Sequence, residues 1–306
     1  MTISTAALGT RLRTWALVAG LTGLLIACGA LIGGSLLWIF VIAAVAMNAF
    51  GYFFSDRIAL RAARARPLEP GEAPELYAIV RELASRAGVP VPSLHLIPGA
   101  QATAFATGRN PAHAAVAVTE GLLNTLPADQ VRAVLAHEFG HIRNHDILVS
   151  SVAAMVAGAI SAIASILQLS FLFGSADEEG ENPIAALALM LIAPIGATLL
   201  QLAVSRQREY LADATAARML GTGRPLAEAL HTITADEWTP LQVNPATAPM
   251  YIVNPLRADG IAGLFATHPP VQERIARLLS YESKGSAQRR QARARSPRPR
   301  PTYVDQ

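Results

Sequence analysis

Four long stretches without a charged residue constrain the fold of this 306-residue chain more than any other feature. A helix needs about 20 predominantly apolar residues to cross a bilayer. The stretches cover residues 14–33, 36–54, 147–173 and 183–204. Charged residues make up 15% of the chain, compared with about 25% in ordinary soluble domains. The sequence therefore predicts a polytopic membrane protein with four transmembrane helices.

The charges that flank these spans predict their orientation. Arg11 and Arg13 precede the first span, and further arginines follow the second and the fourth, whereas the loop between the third and fourth holds only acidic charges. Basic residues near span ends stay in the cytoplasm, so we expect both termini and both long polar segments there. A cleavable signal peptide is less favoured at the N-terminus, because its apolar core is only about 7–15 residues long.

The spans divide the chain into five parts. We expect an N-terminal transmembrane hairpin (1–55), a cytoplasmic domain in two parts (56–146 and 206–282), an inserted hairpin (147–205) and a tail (283–306). Helical spacing of apolar residues recurs within the polar parts, and three short β-forming runs read SLHLIP, TAFATG and AAVAVTEGLL. The predicted fold class is α+β, mainly helical, with a small sheet in the cytoplasmic domain.

The tail is rich in Arg and Pro without an apolar period, which predicts disorder. A solvated arm is favoured over one that rests on anionic lipid or binds nucleic acid non-specifically. No specific nucleic-acid partner is expected. Cys28 is the single cysteine, so no intramolecular disulfide can form, and this suits a reducing compartment.

Two histidines and a glutamate directly before the third span have the spacing of a metal site. His137 and His141 are four residues apart, so on a helix both imidazoles project from one face and can share an ion. Glu138 lies beside that ion without having to bind it, as in the H-E-x-x-H arrangement of zincins. The alternative is an amphipathic helix whose histidines are merely polar-face residues.

A catalytic zinc needs three protein ligands and an open position. Glu209 is the best third candidate, and Asp213, one turn later, can accept the free ring N–H of a ligating imidazole, most plausibly that of His137. Without the H-E-x-x-H motif, both would be taken as solvated acids. The chain between His141 and Glu209 is predicted to cross the membrane twice, so both ends return to the same face.

Two further histidines lie at positions where they could contribute to this site. His145 continues the four-residue spacing, but three histidines along one helix cannot all converge on one ion, so it is interpreted as a polar residue at the membrane boundary. His268 precedes a Pro-Pro turn. Either it caps a loop, or it is a catalytic donor that stabilises the oxyanion opposite the zinc.

The predicted ligand set favours peptide hydrolysis with one Zn²⁺ per chain. Zinc lowers the pKa of water toward ~7 and polarises a carbonyl, and Glu138 takes the proton of the water and hands it to the departing amine. An extended substrate could pair with a strand edge in the AAVAVT or TAFATG region.

Several sequence blocks resemble the HtpX-type membrane zinc metalloproteases, relatives of the CAAX prenyl endoproteases. The blocks, in the order of that family, are SDRIAL, EAPELY, AFATGRNP, AVAVTEGLL, VLAHEFGHIRNHDI, SRQREYLAD, NPATAPMYIVNP and THPPVQERIARL. The resemblance implies a cytoplasm-facing zinc endopeptidase with His137, His141 and Glu209 as ligands and Glu138 as base. It also implies quality control in the plasma (inner) membrane of a prokaryote, with the lipid bilayer and damaged or misfolded membrane proteins as partners.

Other classes remain as alternatives. A transporter or channel would place ionisable residues inside its spans, which these lack. An intramembrane protease would bury the motif in an apolar span, whereas charged residues flank it here. A prenyl-processing endoprotease would need a lipid-sized chamber among more spans. A noncatalytic membrane scaffold predicts no loss of function when Glu138 is changed to Gln.

Overall fold

The computed structural model describes residues 36–148, 206–235 and 269–281, together with the single residues 19, 23 and 252. The predicted fourth span, the basic tail and His268 lie outside the described residues, as do all but residues 147 and 148 of the third span and all but residues 19 and 23 of the first. Across the described ranges, no helix is both long enough and apolar enough to span a membrane.

The described residues form helices and one small sheet. The helices are α1 (Leu36–Ala62), α2 (Pro74–Ala87), α3 (Glu120–Thr125), α4 (Ala128–Asn144), α5 (Arg206–Leu220), α6 (Arg224–Ala235) and α7 (residues 271–281). The strands are β1 (Arg66–Pro67), β2 (Ser93–Ile97), β3 (Ala104–Gly108) and β4 (Ala114–Thr119). A mainly helical α+β fold with a small sheet is thereby confirmed.

The sheet is mixed, with the strand order β1-β2-β4-β3. The β2 and β4 strands pair in parallel, and the other two pairs are antiparallel. Sequence analysis missed β1, because a two-residue strand that contains a proline carries no periodic signal. Among the described strands, β4 is paired on both sides and β3 is last in the order.

Both faces of the sheet are buried. Alternate residues of β3 and β4, such as Phe105 and Ala117, pack with Ala59 and Leu60 at the end of α1. The residues between them, such as Val116 and Val118, join the larger core built with α2, α4, α5 and α6. Because successive side chains point to opposite faces, a strand buried on both faces is a continuous apolar run, as these strands are.

Helix α4 crosses this core and carries the H-E-x-x-H motif. It begins at Ala128, with Pro127 as its N-cap residue, and the fixed φ of proline suits that position. It ends at Asn144, and its C-cap residue His145 adopts a left-handed backbone with φ 64°. Such a residue reverses the chain direction at a helix end.

A glycine brings α4 into close contact with α5. A Cβ atom at Gly140 would lie 3.0 Å from both Cα and the carbonyl oxygen of Ala212. The two backbones can therefore approach at this point only because Gly140 has no side chain. Its neighbours in sequence include His141, so this approach sets the distance between the motif on α4 and the carboxylates on α5.

Candidate metal centre

His137 and His141 face each other one helical turn apart on α4. Their Nε2 atoms lie 3.1 Å apart, and the two rings meet edge to face. The side chain of His137 is 1% exposed and that of His141 is 14% exposed. The i,i+4 spacing of the sequence therefore places both Nε2 atoms at one point, with a small opening on the His141 side.

Glu209 on α5 brings a carboxylate to the same point. Its Oε1 lies 3.5 Å from Nε2 of His141, and its Oε2 lies 3.7 Å from Nε2 of His137. A tetrahedral zinc ion with bonds of about 2.0–2.1 Å would space neighbouring ligand atoms roughly 3.3 Å apart. The separation of 3.1 Å between the two imidazole nitrogens fits such an ion, and each nitrogen has a different oxygen of Glu209 at 3.5 or 3.7 Å. These three residues form a group suited to holding a metal.

Two buried carboxylates face the opposite nitrogens of the imidazoles. Asp213 Oδ1 lies 2.9 Å from Nδ1 of His137, and Asp146 Oδ2 lies 3.4 Å from Nδ1 of His141. A carboxylate at Nδ1 holds the proton there and leaves Nε2 free to bind a metal. The structure thus brings Asp213 to the imidazole named for it in the sequence analysis.

Asp146 was not predicted as part of the site. It lies five positions after His141, and that spacing does not share a helix face. The left-handed His145 turns the chain back, and the Asp146 N–H donates to the carbonyl of His141 over 2.9 Å. A signal for such a helix end was absent from the sequence, because glycine or asparagine usually occupies this position.

Sequence analysis also missed Arg274 on α7. Its side chain is fully buried, and its guanidinium donates to both carboxylate oxygens of Asp213 over 2.8 and 2.9 Å. The sequence did hold a signal, because Arg274 occupies a position in the inward stripe of α7 with Val271, Ile275 and Leu278. A charged residue in an otherwise apolar stripe indicates a buried partner.

Comparisons with known proteins show the family to which this chain belongs. A profile described as Peptidase family M48 matches residues 70–282, more than half of the chain. The chain belongs to peptidase family M48. It is therefore a metallopeptidase, and the predicted resemblance to HtpX-type proteases is confirmed by the relatives that follow.

Two relatives of this M48 peptidase match almost over their full lengths. The "Protease HtpX homolog" of Pelotomaculum thermopropionicum is 50% identical over 273 residues, which cover 87% of this chain and 97% of that protein. That of Syntrophobacter fumaroxidans is 47% identical over 282 residues, covering 89% of this chain and 100% of that protein. Among solved structures, the crystal structure of S. mikatae Ste24p covers 90% of this chain and 66% of that chain, with a TM-score of 0.48 and 20% identity.

Burial and neighbouring charges both shift the pKa values of residues in the M48 site, and the larger effect differs from residue to residue. Burial raises the pKa of Glu138 above its ordinary value, although His137, His141 and the Ala106 amide act the other way. Burial lowers the pKa of His137, but its hydrogen bonds with Asp213 and Glu209 outweigh burial and raise that pKa to about 9. The carboxylates therefore hold a proton on His137 that a metal ion must displace.

Asp213 stays ionised despite its burial. Burial alone would raise the pKa of Asp213, but the charge of Arg274 and the hydrogen bonds from His137 and Arg274 lower it. The predicted ligands and Asp213 are therefore gathered in one buried cluster with Arg274. Their individual roles stay predictions, as does that of His268, which lies outside the described residues. His145 is a half-buried C-cap residue whose Nδ1 lies 3.2 Å from the Arg143 carbonyl oxygen.

Proposed function

We propose that this M48 peptidase is a zinc-dependent endopeptidase of the membrane, which hydrolyses damaged or misfolded membrane proteins at the cytoplasmic face. One observation carries the proposal. His137, His141 and Glu209 converge within ligand distance of one another, and the motif glutamate Glu138, 2% exposed, lies buried on the same helix. We assign the first three as metal ligands and Glu138 as the general base.

The donor set favours zinc over other common metals. Two imidazoles and one carboxylate suit Zn²⁺, whereas Mg²⁺ and Ca²⁺ prefer oxygen ligands alone. Three protein donors leave room for a fourth ligand, as in catalytic sites. When bound, zinc supplies Lewis acidity that lowers the pKa of a water toward ~7 and polarises the peptide carbonyl.

Glu138 moves the proton in the proposed reaction. Its carboxylate accepts a proton from the attacking water and then donates it to the nitrogen of the departing amine. Burial raises its pKa, so the carboxylate holds a proton more strongly than an exposed glutamate does. A base whose pKa is shifted toward the working pH is more effective in both steps.

The strand β3 is the proposed seat of the substrate, because it lies beside the base. Ala106 in β3 donates its amide to Glu138. Of the two strands considered in the sequence analysis, β4 is paired on both sides within the described sheet. A peptide that binds along β3 would be held by backbone hydrogen bonds, which suits substrates of varied sequence.

The first described helix supports a membrane location. Trp38, Ile42 and Val45 on α1 are 69%, 68% and 61% exposed, which is unfavourable in water for large apolar side chains. Arg57 and Arg61 follow them in the same helix. The apolar start of α1 would be favourable in lipid, and its basic end would be favourable in the cytoplasm. His268 remains a proposed oxyanion donor on sequence grounds.

The test compares the full-length wild type with Glu138→Gln, both purified in detergent without chelator. We expect about one zinc per chain in both proteins, because Glu138 is not a ligand. Cleavage of a reduced and alkylated protein substrate should fall at least ~100-fold in Glu138→Gln. Equal cleavage by both would contradict the role of Glu138 and favour a noncatalytic scaffold contaminated by another protease.

A further inference from the structure

Arg274 is a buried cation that the proposed reaction does not use. Its side chain is 0% exposed, and it donates Nη1 to the carbonyl oxygen of Ile252 over 2.9 Å. Nε and Nη2 donate to the two carboxylate oxygens of Asp213, at 2.9 and 2.8 Å. A guanidinium that is removed from water is costly unless it is paired in this way, so the pairing fixes the position of both groups.

The same guanidinium reaches the candidate metal ligands. Nη2 lies 3.4 Å from Nδ1 of His137, and Nη1 lies 3.7 Å from Oε2 of Glu209. Arg274 thus meets two of the three ligands directly and a third group, Asp213, that itself lies 2.9 Å from His137. A pair that served only to join α7 to α5 would not require contact with the imidazole.

Asp213 transmits this position to His137. Its Oδ1 is shared between Nη2 of Arg274 and Nδ1 of His137, at 2.8 and 2.9 Å. The two-point contact with Arg274 prevents the carboxylate from rotating. Oδ1 is therefore held where it accepts a hydrogen bond from the Nδ1–H of His137. The imidazole is then left with Nε2 turned toward His141 and Glu209.

Arg274 also makes the centre dependent on α7, a distant part of the chain. The α7 backbone is seated firmly, since a Cβ atom at Gly223 would lie 2.4 Å from the carbonyl oxygen of Leu278. Arg274 and Leu278 are one turn apart on the inward stripe of that helix. The metal ligands on α4 and α5 are therefore held in place by a side chain from a third helix.

We propose that Arg274 is a positioning residue of the metal centre, which orients Asp213 and, through it, His137, and so couples docking of α7 to metal binding. This inference rests on the proposed function, because it requires that the group of His137, His141 and Glu209 binds zinc.

The test measures zinc affinity in the full chain in detergent, by competition with a chromophoric chelator. The variants are Arg274→Met, Arg274→Lys, Asp213→Asn and the double variant Arg274→Met/Asp213→Asn. The matched control is Arg277→Met on the same helix, whose arginine is exposed, pairs with Glu273 and stacks on Tyr210. Unfolding temperatures in excess chelator report on the fold alone.

We expect Arg274→Met to bind zinc about 10–100-fold more weakly, as when an outer partner of a ligand is removed. Arg277→Met should bind as the wild type does. Because Arg274 and Asp213 act through one imidazole, the double variant should be little weaker than the more affected single variant. Arg274→Lys should stay at least ~10-fold weakened, since a single ammonium cannot hold both carboxylate oxygens.

Several outcomes would overturn the inference. Wild-type zinc affinity in Arg274→Met, or losses that add fully in the double variant, would show that Arg274 is a structural ion pair only. If Arg274→Met does not fold, Arg274→Lys decides: wild-type affinity contradicts the inference, and weakened affinity with an unchanged unfolding temperature supports it. Absence of zinc binding by the wild type would instead refute the proposed function.

Discussion

Each imidazole of the motif has an aspartate at its Nδ1 atom, Asp213 at His137 and Asp146 at His141. The distances differ, at 3.4 Å for Asp146 and 2.9 Å for Asp213. The shorter contact makes the stronger hydrogen bond, because 3.4 Å lies beyond the usual range. Asp213 also accepts a hydrogen bond from Arg274 over 2.8 Å.

We therefore predict unequal losses of zinc affinity when each aspartate is changed to asparagine. Asp213→Asn should weaken binding by about 10–100-fold. Asp146→Asn should weaken it by less, because its hydrogen bond with His141 is longer. Chelator competition measures both, with Asp129→Asn at the far end of α4 as the control. A larger loss for Asp146→Asn would show that the two contacts have been ranked wrongly.

The proton on His137 leads to a prediction about pH. Its pKa is raised from 6.5 to about 9, so the imidazole is protonated near pH 7 and zinc binding must release that proton. Apparent zinc affinity should rise by about tenfold per pH unit between pH 7 and about 9 and then level off. Calorimetry in buffers of different ionisation enthalpy should detect about one proton released at pH 7.5. No release at that pH would contradict the raised pKa.

The same shift has the opposite effect on the chelated protein. A group with a folded pKa above its unfolded value stabilises the folded state at low pH. The contribution of His137 is fully present below pH 6.5 and is lost as pH rises through about 9. Denaturant unfolding in excess chelator should thus show falling stability over the range in which zinc affinity rises.

Residue spacing predicted part of the site and missed the rest for identifiable reasons. His137, Glu138 and His141 were predicted from helical periodicity. Glu209 and Asp213 were predicted because the chain was expected to return to the same face of the membrane. Asp146 depends on a left-handed helix end, which local spacing does not encode. Arg274 depends on how α7 docks, which is a tertiary property.

At the scale of elements, the helices and longer strands were readable because their apolar patterns are long and their ends are marked. Gly88, for example, follows the last residue of α2 in a left-handed conformation, which is where glycine commonly ends a helix. The order of strands was not readable, since β4 enters the sheet between β2 and β3. That order places β3 last among the described strands, where Ala106 donates its amide to Glu138.

The contact between α4 and α5 at Gly140 carries a prediction at this scale. Gly140→Ala places a methyl group 3.0 Å from the Ala212 backbone, so the helices must separate by a few tenths of an ångström. We expect a loss of about 1–3 kcal/mol in the free energy of unfolding, as for an overpacked core. Zinc affinity should fall as well, because His141 and Glu209 lie on the separated helices.

Denaturant unfolding and chelator competition measure the two effects. The matched control is Gly71→Ala, where an added Cβ meets nothing within 4 Å. Unchanged stability and zinc affinity in Gly140→Ala would contradict the account of how the two helices set the site.

At the scale of the whole molecule, the proposed topology requires both parts of the catalytic domain to share one side of the membrane. We propose that this side is the cytoplasm, as the charges that flank the predicted spans favour. Arg81 on α2 and Arg277 on α7 are exposed and lie in the two different parts. We predict that single cysteines at these positions, in a Cys28→Ser background, resist an impermeant thiol reagent in spheroplasts and react after lysis. Labelling of one cysteine but not the other in spheroplasts would contradict the topology.

The proposed metal centre requires a single ion that is bound by side chains of both α4 and α5. Zinc K-edge X-ray absorption of the reconstituted full-length protein measures that coordination most directly. We predict nitrogen and oxygen donors alone at about 2.0–2.1 Å, with the outer scattering of two imidazoles and loss of bound zinc in Glu209→Ala. Three imidazoles, a sulfur donor, or an unchanged spectrum in Glu209→Ala would contradict it.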